Sequence, residues 1–228
     1  MRVTADDQAR IAAAIARAEA TTSGEIFCVV ATRVSSYRDI GLAWATAAAL
    51  LLPLALIPLG LEPAWLPGMG DAWQAAHSTA VHINVGRALA AYAIIQAAIF
   101  LTAFLLTLIP GVRRRLTPRG VRRARVRKAA LEQFMAHGLH LTEARTGVLI
   151  FASLADHQVE VVADKGIHAL VDQDVWAEAV EALTREMRAG RPADGFEAAI
   201  ALCGKVLAQH FPPRGANPNE LPDRLVIL

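Results

Sequence analysis

The polar and apolar positions fall into two regimes. Thr4-Ala5-Asp6-Asp7 reads as a helix cap with acidic residues in the first turn. Ile11, Ile15 and Ala18 then recur at helical spacing, so residues 5–20 are predicted as an amphipathic helix ended by Thr21 to Gly24. Glu25 to Ala31 is short, β-rich and preceded by a glycine turn, the signature of a buried strand. Ile40 to Leu61 then runs without an ionisable side chain, and Ala88 to Val112 does so again. As a helix the first run would rise roughly 33 Å, enough for a bilayer core. Pro53 and Pro58 should kink it, which membrane helices tolerate.

Beyond the second run, Pro118 and Gly120 interrupt the helix, which restarts over Val121 to His137 with Val126, Ala130, Leu131 and Phe134 on one face. Val148 to Ser153 and Val159 to Ala163 read as a strand hairpin about an Asp156-His157 turn. Two amphipathic helices follow. Val175, Trp176, Ala179, Val180, Leu183 and Met187 mark the first; Phe196, Ala199, Ile200, Cys203 and Leu207 mark the second, opened by Asp194. The chain therefore divides into residues 1–38, a helix and strand; 39–112, a transmembrane hairpin with spans near 40–61 and 88–110 and an outer loop 62–87; 113–212, the remainder of the α/β domain; and 213–228, a Pro- and Asn-rich flexible tail. The fold class is a small layered α/β domain interrupted by a two-helix hairpin.

Composition supports the division. The apolar fraction of 54% exceeds the soluble norm, and the excess lies between Ile40 and Val112. A domain this small could hardly enclose two such helices on all sides. Net charge is only +2, but its distribution is lopsided. Arg113, Arg114, Arg115, Arg119, Arg122, Arg123, Arg125, Arg127 and Lys128 follow the second run, and Arg33 and Arg38 precede the first. The loop between has one basic residue, Arg87, and carries Trp65 and Trp73, suited to an interfacial belt. The positive-inside rule then puts both termini in the cytoplasm and makes the chain a multi-pass protein of a bacterial inner membrane. Arg113, Arg114, Arg115, Arg119, Arg122 and Arg123 are expected at anionic lipid headgroups. Nucleic acid is excluded as a partner, because no aromatic stacking residues or nucleic-acid motif accompany the arginines.

Candidate chemistry is sparse. Asp164, Asp172 and Asp174 could gather around a hard cation, Ca or Mg, at the end of the third strand. Turn and capping roles explain the same residues without a ligand. His137 and His140 have i, i+3 spacing, but Gly138 between them suggests a helix end. Ser23 and Ser153 lack a histidine partner visible in sequence, and no Walker loop, dinucleotide fingerprint or zinc pattern is present. Cys28 and Cys203 lie in apolar surroundings and read as buried hydrophobes. Small residues in both apolar runs, among them Ala45, Ala49, Ala90 and Ala97, permit close packing within one hairpin or between copies in a homo-oligomer.

SGEIFCVV at 23–30 and TGVLIFASLADHQVEVVADKGI at 146–167, with the helical pattern continuing to about residue 212, resemble the TPM-domain family. That family includes thylakoid-lumen and photosystem-repair proteins and many bacterial membrane proteins. The resemblance implies an α/β/α sandwich. It also implies one of several roles, since some members are phosphatases, some bind a divalent cation such as calcium, and others are accessory or assembly factors. The family's glycine-tyrosine-glycine turn after the third strand is Asp164-Lys165-Gly166 here. The absence of a catalytic constellation favours a membrane-anchored interaction or accessory role with a protein partner, the alternative being a cation-dependent phosphatase.

Overall fold

The computed structural model describes residues 3–56, 81–213 and 219–228. The end of the first apolar run, Trp65, Trp73 and His77 lie outside the described residues. The chain forms two compact units, one from residues 1–36 and 119–228, the other from 37–118.

The first unit is built on a four-stranded sheet of β1 (Glu25–Ala31), β2 (Gly147–Ser153), β3 (Gln158–Ala163) and β4 (Leu225–Ile227), in the order β3-β2-β1-β4. β1 and β2 pair in parallel from Glu25 opposite Gly147 to Ala31 opposite Ser153, and β2 and β3 form the expected antiparallel hairpin. β1 and β2 are buried at every position, which is why both read as unbroken apolar runs rather than alternating ones.

Side chains nevertheless alternate between two cores. On one face Ile26, Cys28, Val30, Val148 and Ile150 pack with Ile11 and Ile15 of α1 (Ala5–Glu19), and with Leu183, Phe196 and Leu207 of the two later helices. On the other, Phe27, Val29, Leu149 and Phe151 meet Val126, Ala130 and Phe134 of the basic helix Arg119–Ala136. The unit is thus a layered α/β/α sandwich. Thr4 and Asp7 form the expected capping box at the start of α1. Leu131 is exposed, because the face meeting the sheet is the narrower stripe of Val126, Ala130 and Phe134. Val175 is exposed too, since the chain there is a short 3-10 turn and the helix proper spans Ala177–Arg188. Cys28 and Cys203 are unpaired and fully buried. Burial pushes both thiols up, Cys203 to about 12, leaving neither as a nucleophile.

The second unit contains α2 (Arg38–Leu56), α3 (Val81–Leu108) and α4 (Pro110–Leu116). α2 and α3 pack together, and a Cβ on Gly41 would stand 2.6 Å from Thr107 Oγ1. The start of α2 thus meets the end of α3, so the pair runs antiparallel. Among the described residues one helix, Arg38–Ala55, is long and apolar enough to cross a membrane; the bent pair Tyr92–Leu108 and Pro110–Leu116 would make a second. The bend is 101°. Trp44 Nε1 donates to the carbonyl of Leu116 at 3.0 Å, tying α2 to the end of α4.

The tail differs from expectation. Leu225–Ile227 forms β4, parallel to β1, with Leu225 buried. Backbone bonds from Thr32 to Leu228 and from Leu228 to Val30 extend the pairing. Before β4 the tail crosses a carboxylate cluster. Glu25 Oε2 accepts from the Leu221 amide at 3.2 Å, and Glu19 Oε1 accepts from Ile26 at 2.7 Å. Burial first, then the nearby Glu25 and Asp223 carboxylates, push Glu19 up to about 8 despite the Ile26 amide. Folding therefore takes up a proton between the ordinary carboxyl range and about 8. That stability is whole below pH 4.5 and declines as pH rises, levelling off beyond pH 8. Thermal unfolding of the purified chain should show this decline, and Glu19→Gln should flatten it; an unchanged slope in the variant would disprove the assignment to Glu19.

Candidate functional site

At the end of β3 the chain turns sharply. Asp164 follows the strand and its Oδ1 accepts from the Lys165 amide at 2.6 Å, capping a short helical turn of Lys165–His168. The turn packs against the loop before β2. A Cβ on Gly166 would stand 2.6 Å from the Arg145 carbonyl and 2.9 Å from that of Ala144, so only glycine permits the approach. Arg145 itself has φ of 56°, an uncommon conformation for a side-chain-bearing residue. Its Nη1 lies 3.9 Å from Asp164 Oδ2.

These residues open onto a cavity of about 340 Å³. Arg127, His140, Arg145, Lys165 and His168 line it with Asp164, against an apolar side of Phe134, Met135 and Val162. Asp164 is only 5% exposed, and its Oδ2 accepts no hydrogen bond. Buried Nδ1 of His140 also lacks a partner. Buried polar atoms in folded proteins are rarely left so. Arg127 is partly engaged, with Nη1 3.4 Å from Glu160 Oε2.

The three carboxylates expected around a cation are not gathered. Asp164 faces this cavity, whereas Asp174 lines a separate groove of about 1020 Å³ beside β3 and Trp176. Asp172 occupies the N-cap position of the 3-10 turn Gln173–Trp176 without a side-chain capping bond, and both it and Asp174 are exposed. The physical reason is that Asp164 caps one short turn, whereas Asp172 and Asp174 belong to the next. Among the described residues, no group of three or more His, Cys, Asp or Glu could hold a metal ion. His137 packs against Phe27, the rings tilted with centroids 4.6 Å apart, while His140 joins the cavity, so the pair does not act together. Ser153 donates to Asp156 at 2.7 Å in the hairpin turn. Of the arginines expected at headgroups, Arg123 lies 3.7 Å from Glu160.

The family model of the TPM domain matches residues 117–206. That stretch, less than half of the chain, is similar to the TPM domain. The matched stretch holds the basic helix, β2, β3 and the cavity, while β1 and β4 lie outside it. The NMR structure of the BA42 protein from the psychrophilic bacterium Bizionia argentinensis is similar in fold, with a TM-score of 0.57 and 18% identity over 100% of this chain and 97% of that one. No curated protein matches the chain.

Arg145 was not singled out by the sequence; its only signal was its place just before the Thr146-Gly147 turn. Gly166→Ala should destabilise the α/β/α unit by about 1–3 kcal/mol, because the carbonyls it meets are backbone and cannot swing aside. Chemical denaturation measures this, and a variant as stable as the parent would contradict the close packing described.

Proposed function

We propose that this chain is a membrane-anchored interaction module of the TPM-domain family, with α2 and α3 crossing the bilayer and the α/β/α domain docking a protein partner at the inner face. One observation carries the reading. Leu42, Leu51, Leu54, Leu89, Ile94 and Leu101 are all at least 49% exposed on two packed, uncharged helical stretches. Each buried Leu or Ile side chain contributes about 1.5–3 kcal/mol, so helices that leave this many outward call for an apolar solvent.

Two features of the same unit support the orientation. The bend at Ile109 turns α4, with Arg113, Arg114 and Arg115, away from the axis of α3, which suits a helix lying at headgroup level. Trp44, hydrogen-bonded to its end, is an aromatic of the kind enriched at that level. Arg119 and Arg122, beginning the basic helix, extend the same positive run toward anionic lipids. The cation-dependent phosphatase reading finds no gathered ligand set among the described residues.

Alkaline carbonate should leave the chain in the membrane fraction. Fluorescent reporters fused at residues 36 and 118 should both report the cytoplasm, and one inserted between residues 62 and 80 the outer side. Release by carbonate, or opposite locations for 36 and 118, would overturn the anchor. Crosslinking in native membranes should capture a protein through the α/β/α domain and lose it when that domain is deleted; no captured protein would remove the docking role.

A further inference from the structure

We infer that the outer edge of β3 is a docking groove for an extended protein segment in which apolar and acidic residues alternate, the segment adding itself to the sheet as a strand. The inference rests on the docking role proposed above and gives it a surface and a partner chemistry. Every residue involved belongs to the α/β/α unit.

The backbone comes first. β3 is an end strand in the order β3-β2-β1-β4, and among the described residues no strand pairs with its outer side. The Asp164 amide donates to the Gly147 carbonyl at 3.0 Å, one step beyond the pair of Ala163 with Val148. Antiparallel pairs alternate between bonded and non-bonded. Val162, Glu160 and Gln158 therefore exchange bonds with β2, while Val161 and Val159 turn N–H and C=O away from it. Among the described residues no hydrogen bond takes up those outward groups. Both valines line the groove of about 1020 Å³, whose floor runs from Gln158 to Val161, while their side chains pack into the core. A row of unpaired donors and acceptors along a groove is a template for one more strand.

The walls choose that strand. One wall is the basic helix, through Arg123 and Arg127; the other runs from Trp176 along the helix Ala177–Arg188. Successive side chains of an added strand would point to the two walls in turn. Toward the second wall they meet Trp176, Ala177 and Val180, and its Arg185 and Arg188 are matched in number by Asp174 and Glu181. Toward the first they meet Arg123 and Arg127, which lie 3.7 Å and 3.4 Å from Glu160 and share that one carboxylate. That wall keeps a net positive charge. Apolar residues on one side of the segment and acidic residues on the other suit both walls together. The same walls disfavour a second copy of the chain, whose own β3 is recessed between the same helices and whose arginines would meet their like.

The test uses the purified full chain and a capped peptide of alternating valine and glutamate, ~6 residues long like a common strand. Binding should slow hydrogen exchange at the Val159 and Val161 amides and leave Glu160 and Val162, already bonded to β2, unchanged. The counterpart with lysine for glutamate should bind about tenfold more weakly. N-methylation of one alternate set of peptide amides should abolish binding and of the other set should not, because only one set can face β3. Arg123→Gln, at a side chain 76% exposed, should weaken the glutamate peptide about threefold without altering the melting temperature. No binding, binding without protection of Val159 and Val161, or equal binding of the lysine peptide would overturn the proposal. A partner crosslinked in native membranes, with no such protection by the peptide, would sink the edge site alone. Protection by the peptide with no partner captured would remove the docking role alone.

Discussion

The parallel pairing of β1 with β2 is the interaction on which the rest depends. Seven residues that precede the apolar helices are paired with seven that follow them, and β1 is flanked on its other edge by a strand from the far end of the chain. Neither core can form without that join, because both draw side chains from both strands. The path of residues 37–118 must therefore return the chain to the sheet it left.

Much of the domain was legible because its strands are buried on both faces. Glu25–Ala31 was read to the residue, and β2 and β3 each begin one residue earlier than expected. β4 was not legible. Leu225-Val-Ile is too short to carry a period, and it follows a stretch of Pro and Asn that signals loop. It is a strand because β1 offers an edge and because Glu25 accepts the amide of Leu221. Those causes are tertiary. Leu131 failed for a related reason: helical spacing assigned it to the core, but the stripe that touches a flat sheet is narrower than the apolar face.

The candidate site was legible in one residue. Asp164 could be seen ending a strand at a turn, but capping was expected of Asp172 or Asp174 and not of Asp164, which performs it. What could not be seen was its company. Arg145 comes within reach only because a glycine two residues beyond Asp164 allows two backbones to touch. The cation pattern, by contrast, rested on closeness in sequence, and Asp164 and Asp174 face different hollows. Spacing along a loop does not fix direction.

The split sheet has a consequence for how the molecule is made. Once β1 has left the ribosome, its parallel partner is not synthesised until residue 147, a delay on the order of ten seconds at usual elongation rates. Throughout that interval Ile26-Phe-Cys-Val-Val30 is an apolar strand with two bare edges. The segment most central to the finished domain is thus the one most in need of shelter during its birth.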